Sequence, residues 1–281
     1  NAADALKAAL QTQTDDLAKL VAQGTTIGLT DNHAQTYATK NLDTPQDQLK
    51  TALETEAKAQ ALENKQLFGN QIRLDNSYIK NTGVKSYIEI NENSINDAGA
   101  ITVRKGYHTI YNQPYSMVLT TKIETYIKDD INQLNSQMQG NIDINIIGLN
   151  TPEIAIPKEG KAKYTGTGLF GEGNMASILD LTYNVDFSKR SGSGYLTKGY
   201  VDYNYGSKIT LEEGTITKVN LKGKDAIGIS SAAKSLNNLT GNYTLGFYGP
   251  AAEEIAGTLQ IPLYGNNKEI GFGGTRGDIA K

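Results

Sequence analysis

The sequence predicts a mainly β protein, in which an N-terminal helical and antiparallel-sheet region precedes an eight-stranded antiparallel up-and-down β-barrel. Three observations predict it. Apolar residues recur at helical spacing over positions 1–70, the period changes to two from Gln71, and from Lys161 eight alternating segments follow with turn signals between them. The expected division is therefore 1–158 (helical over 1–70, antiparallel strands over 71–121, a linker over 129–158) and a barrel over 159–281.

In NAADALKAALQTQTDDLAKLVAQG, Leu6, Leu10, Leu17, Leu20 and Val21 lie roughly on one face, and Gly24 supplies a stop. A second helix is expected to open at Thr44, where TPQD offers an N-cap Thr, Pro45 in the first turn and Asp47 near the helix N-terminus. Leu49, Leu53 and Ala57 continue it. Both faces are narrow and alanine-rich, and the heptads are not sustained. They predict a lightly packed surface appendage rather than a coiled coil. IRLDNSYIK, VKSYIEI, AITVRK and TIYNQPYSMVLT then read as strands, separated by Asn81-Thr82-Gly83 and Asn96-Asp97-Ala98-Gly99. The polar stretch from Asp129 to Gly160 reads as a helical turn, a short strand and a linker, with Pro157 near the boundary.

The eight later segments are KAKYTGTGLFG, ASILDLTYNVDFS, SGYLTKGYVDYNY, KITLEEGTITKVN, DAIGISSAAKS, GNYTLGFYG, EIAGTLQIPLY and KEIGFGGTRG. The clearest alternates strictly: Leu179, Leu181, Tyr183, Val185 and Phe187 face one way, Asp180, Thr182, Asn184 and Asp186 the other. Such a sheet, dry on one face, closes into a small barrel filled by its own side chains and free of edges.

The 281 residues suffice for one large or two ordinary domains, and the net charge of −3 gives no reason to expect nucleic acid as a partner. The chain has no cysteine, which excludes disulfides, thiolate zinc sites and cysteine nucleophiles. Nothing reads as a signal peptide or as the ~20 apolar residues of a membrane helix. Sixteen tyrosines against five phenylalanines and no tryptophan favour positions with one wet end, such as barrel strands and binding surfaces.

Possible chemistry reduces to a few places. Glu253 and Glu254 follow the corner Gly249-Pro250, but adjacent residues diverge on a helix or a strand, so they make a poor acid/base pair and read as a structural corner. Glu212 and Glu213 are expected to split between the two faces of a strand or its turn. GTGLFG, Gly166 to Gly171, has the letters of a dinucleotide fingerprint but opens no helix; a glycine-rich hairpin or bulge explains it. His33, in polar DNHAQT, reads as a solvated loop residue. His108, among tyrosines, reads as an ordinary strand or loop histidine or, alternatively, as a single axial haem ligand. Two histidines without cysteine make no standard structural zinc site, and no serine stands in a nucleophile-elbow context. Tyr195, Tyr200, Tyr203 and Tyr205 form the main surface candidate. They are either interface anchors or barrel filling with a rim girdle.

LDLTYNVDFSKRSGSGYLT, ITLEEGTI, IGIS, YTLGFYGPAAEEIAGTL and IGFGGTRG resemble, in order, the C-terminal barrel of the transferrin-binding protein B and factor H-binding protein family, and the GFYGP-AEEIAG stretch is its most specific part. In the N-terminal half, TIYNQPYSMVLT looks like a strand of that family's smaller handle domain. The order of one handle and one barrel is closest to factor H-binding protein. The resemblance implies a binding protein rather than an enzyme: a surface lipoprotein of a Gram-negative outer membrane, exported by the Slam machinery and held by an N-terminal lipid anchor only. Family members carry a lipidated Cys that this chain lacks, which implies that the chain begins just after it.

The function implied is capture of a soluble host protein for immune evasion, with a complement regulator foremost and no cofactor. Haem capture through His108, or another nutrient-capture role, is the alternative; a colonisation or symbiosis factor with a small-molecule or glycan ligand is the third. One test needs no ligand. Residues 161–281 produced alone are expected to melt cooperatively, because eight strands close their own core, and a disordered fragment would contradict the division.

Overall fold

Leucine and alanine at helical spacing fold the N-terminus into α1 (Ala2–Thr26), α2 (Asp31–Lys40) and α3 (Leu49–Gln71), followed by the single turn α4 (Ser77–Lys80). The computed structural model describes residues 2–95, 101–128, 134–138, 142–172, 175–197, 208–235, 239–263 and 266–281. The expected face of α1 is buried only towards its C-terminal end: Leu20 is in the core, while Leu6 and Leu10 are 63% and 55% exposed. Gly24 is not a stop. It lies inside α1 where a Cβ would come within 3.1 Å of Ala34 Cβ, so its bareness lets α1 and α2 touch. The chain turns instead at Gly28, whose φ is +93°.

α2 is an element the polar segment DNHAQTYATK did not announce; its buried face is Ala34, Tyr37 and Ala38. His33 therefore sits on a helix and not in a solvated loop. The third helix opens at Leu49, later than Thr44, because the Thr44 hydroxyl donates to Asn41 Oδ1 and Gln48 N–H closes a turn on the Pro45 carbonyl. IRLDNSYIK is not a strand. Arg73 takes a φ of +56°, Asp75 accepts the Ser77 N–H, and Leu74 and Ile79 both reach the core between helices and sheet.

Five antiparallel strands form the first sheet: β1 (Gly83–Ile95), β2 (Ile101–Asn112), β3 (Ser116–Lys128), β4 (Leu134–Met138) and β5 (Ile142–Gly148). They run in the order β1-β2-β3-β4, with β5 also paired to β3. TIYNQPYSMVLT is a hairpin rather than one strand. β2 ends at Asn112, and Gln113 N–H bonds the Ser116 carbonyl across a turn that Pro114 can occupy without a donor. The expected linker contains β4, β5 and a 3₁₀ turn, Glu153–Ala155.

Each of the eight alternating segments holds one barrel strand. These are β6 (Lys161–Glu172), β7 (Met175–Asp186), β8 (Ser191–Thr197), β9 (Lys208–Leu221), β10 (Lys224–Ser235), β11 (Thr240–Tyr248), β12 (Glu254–Leu263) and β13 (Asn266–Arg276). All pairs are antiparallel, and β13 closes on β6. GTGLFG lies within β6, on the first arm of the β6–β7 hairpin and in no helix turn; a Cβ on Gly166 would collide with the Gly273 carbonyl oxygen of β13. Leu179, Leu181, Tyr183, Val185 and Phe187 all lie in the barrel core, as their alternation predicts.

Tyrosines fill part of that core, and their polar ends meet protein rather than water. Tyr164 Oη donates to the Ala252 carbonyl at 2.6 Å, and Tyr243 Oη donates to the Glu212 carbonyl at 2.7 Å while bonding Tyr183 Oη at 2.9 Å. Outside the barrel, the five-stranded sheet lies between α3 and the wall of β12, β13 and β6. Ile110, Met117, Leu119 and Ile147 face the helix side, and Val118 and Ile144 share a core with Leu169 and Ala256 of the barrel.

Leu181 is 2% exposed inside the barrel. Leu181→Asp is expected to cost more than about 4 kcal/mol, enough to unfold a domain of ordinary stability. Retained cooperative melting of that variant would show that the inward face has been assigned wrongly.

Candidate functional site

The two glutamates at the Gly249-Pro250 corner separate as their adjacency requires. Glu253 turns back on its own corner, its Oε2 accepting the Ala251 N–H at 2.8 Å. Glu254 opens β12, is 1% exposed, and points at the sheet. Its two oxygens accept the Tyr115 N–H at 2.9 Å and the Ser116 hydroxyl at 2.8 Å, both from the β2–β3 turn. The same turn reaches the barrel twice more, through Gln113 Nε2 to the Ile255 carbonyl and Thr275 Oγ1 to Gln113 Oε1. Behind it, the buried Lys65 of α3 donates to Asn112 Oδ1 and to the Gln113 carbonyl. Three layers thus meet at one polar cluster. Burial pushes the Glu254 carboxyl up to about 7, against the bonds from Tyr115 and Ser116 and the charge of Lys65; burial lowers the Lys65 ammonium to about 8.

Two grooves border the five-stranded sheet. One, of about 300 Å³, lies between α3, β5 and the barrel and is lined by Leu67, Phe68, Ile146, Leu221 and Tyr248, with Asn64 bonded to the Gly148 carbonyl. The other, of about 410 Å³, crosses the sheet beyond the end of α3. It is lined by Ile90, Ile123, His108, Thr121, Arg73 and Arg104. Arg104 pairs with Glu92 at 3.0 Å, and Arg73 stands 3.7 Å from the same carboxylate. His108 is 7% exposed, with Nδ1 2.9 Å from Thr121 Oγ1. Burial pulls its pKa below the ordinary histidine value, partly offset by Glu92. A neutral, oriented imidazole in a groove wall is suited to binding a ligand.

Of the four tyrosines, Tyr200, Tyr203 and Tyr205 lie outside the described residues. Tyr195 is on β8, half-buried, with Lys208 Nζ 4.5 Å from its ring centre. Glu212 and Glu213 do not converge: Glu212 pairs with Lys234 at 3.4 Å, and Glu213 Oε2 lies 3.5 Å from Ser191 Oγ. No group of three His, Asp or Glu side chains among the described residues is placed to hold a metal ion. Sequence reasoning singled out both YNQPYS and GFYGPAAEE, yet nothing local in either states that they bond to each other.

Residues 154–259 match the family model for "Factor H binding protein, C-terminal". Transferrin-binding protein B of Moraxella catarrhalis is 31% identical over 146 residues, covering 47% of this chain and 20% of that protein. The chain thus matches about a fifth of the length of this curated relative. Among solved structures, a Tyr-167-Ala, Trp-176-Ala double mutant of transferrin-binding protein B from Haemophilus parasuis Hp5 gives a TM-score of 0.40 at 17% identity, covering 68% of this chain and 38% of that one. Isotype 1 of the same protein from serogroup B Neisseria meningitidis gives 0.39 at 18% identity, covering 67% and 35%.

Replacing Glu254 by Ala is expected to cost about 3 kcal/mol, because it strands the Tyr115 and Ser116 donors and leaves Lys65 buried without its counter-charge. Because the folded-state pKa of Glu254 lies above 4.5, the folded protein holds a proton there that the unfolded chain has lost. Its relative stabilisation is complete below pH about 4.5 and is lost as pH rises through about 7. Thermal unfolding of Glu254→Ala beside wild type measures the cost, and wild type against Glu254→Gln across that window checks the pH dependence; parallel pH curves would refute the assignment.

Proposed function

We propose, from the premise that this barrel belongs to the factor H-binding protein and transferrin-binding protein B-like family, that the chain captures a soluble host protein from a bacterial surface. A complement regulator is the first candidate. The match of residues 154–259 to the factor H binding protein C-terminal model carries this reading. The geometry supports it physically. A closed barrel bolted to a sheet through Glu254 holds the grooves beside them in one arrangement, so binding there orders little of the protein. Lipid anchoring in the outer membrane, Slam-dependent export and immune evasion belong to the same proposal.

Haem capture is the second reading, favoured by the groove at His108. Ile90 and Ile123 offer apolar contact and the Thr121 contact fixes the imidazole; Arg73 and Arg104 would serve propionates only by sharing their charge with Glu92, and Asp143 adds a second carboxylate to the lining, so the fit to the group is partial. Bound haem would supply an iron for His108 to ligate.

Purified protein is to be mixed with haemin for an absorbance spectrum and, separately, used to pull down host serum. The expected outcome is no Soret band and one stoichiometric serum protein. A sharp Soret band abolished by His108→Ala, with no specific serum partner, would reverse the order of the two readings.

A further inference from the structure

His33 projects from α2 towards α3, and α3 answers with two carboxylates seven residues apart. Glu56 Oε1 lies 2.6 Å from His33 Nδ1, and Glu63 Oε2 lies 2.7 Å from Nε2. The ring is 13% exposed, Glu56 11% and Glu63 56%. An ionised carboxylate only accepts hydrogen bonds, and a neutral imidazole has a single N–H. Both short contacts are satisfied together when the ring carries two protons. The doubly protonated ring then makes two charge-assisted bonds across the helix pair. Lys40, also on α2, lies 4.0 Å from Glu56 Oε2. On α1, which packs against α2, Asp16 and Lys19 pair with each other at 3.1 Å. Neighbouring bonds between the loop before α2 and α3 are neutral: Thr30 N–H and Oγ1 both meet Gln60 Oε1, and Gln60 Nε2 meets the Gly28 carbonyl.

We propose that His33, clasped between Glu56 and Glu63, is a proton-controlled brace that fixes α2 to α3 while its ring holds both protons and slackens when one is lost. This is the reverse of a histidine that opens a structure on acidification. Loss of a proton leaves a ring lone pair facing a carboxylate lone pair, so the helical layer tightens in mild acid and loosens in mild alkali. Burial lowers the pKa of His33, but the bonds and charges of Glu56 and Glu63 outweigh it and hold the value above 6.5. The contribution of the brace is accordingly full below 6.5 and is lost as pH rises through the higher folded value.

The test uses the intact protein in solution, with nuclear magnetic resonance reading the ring nitrogens of His33 and hydrogen exchange reading the amides of residues 31–40. Both ring nitrogens are expected to be protonated at pH 6.5. From pH 6 to pH 9 the opening of α2, measured relative to α3 amides in the same sample, is expected to increase on the order of tenfold. Glu63→Gln, at an exposed position that leaves the core intact, is expected to lower the titration point of His33 and to move the α2 transition with it. A single-protonated ring at pH 6.5 would overturn the proposal. So would a ring that titrates while the ratio of α2 to α3 exchange stays flat, or an α2 transition that Glu63→Gln leaves in place.

Discussion

The buried carboxylate of Glu254 is the centre of the polar cluster that ties the five-stranded sheet to the barrel wall. A buried carboxylate is costly unless donors surround it, and here they come from the turn between two strands of another sheet. The corner that aims it is itself fixed from several sides. Gly249 and Ala252 take positive φ, Arg276 Nε and Tyr164 Oη both donate to the Ala252 carbonyl, and Arg276 N–H takes the Glu253 carbonyl. A Cβ on Gly249 would press on the ring of Tyr115, so the corner and the turn approach as closely as glycine permits. The orientation of the sheet on the barrel wall is therefore set by polar geometry at one end. The apolar contacts of Val118 and Ile144 fill in beside it.

The barrel was legible because its information is local. Strict alternation from Leu179 to Phe187 states which face is dry, and short polar or glycine-containing gaps state where the chain turns, so all eight strands follow from neighbours in sequence. The helices were less legible for the same reason. α2 buries only two alanines and a tyrosine, too few to produce a period, and Gly24 reads as a stop because Ala34, the residue it makes room for, belongs to the next element. At Ile72 and Leu74 the alternation of a strand was imitated by a turn.

The candidate sites lie at the far end of that scale. Glu254 is separated from Ser116 by 138 residues, and His33 from its two carboxylates by 23 and 30. Residue type alone cannot distinguish a histidine in a loop from one gripped by two acids. The tyrosines divide in the same way. Tyr164, Tyr183 and Tyr243 are interior pillars whose hydroxyls meet one another or backbone carbonyls, whereas Tyr195 lies under a lysine at the barrel surface.

The seam of the barrel has a consequence for the order of events in folding. β6, the first barrel strand, is hydrogen-bonded to β13, the last, and Lys161 exchanges two backbone bonds with Ala280 beyond it. No leading fragment of the barrel can close. As the chain is made, seven strands wait with their dry face incompletely covered until β13 arrives. Closure is then a single long-range event, the kind that topology makes slow. Such a chain remains pliable until its last strand is made, and becomes rigid only then.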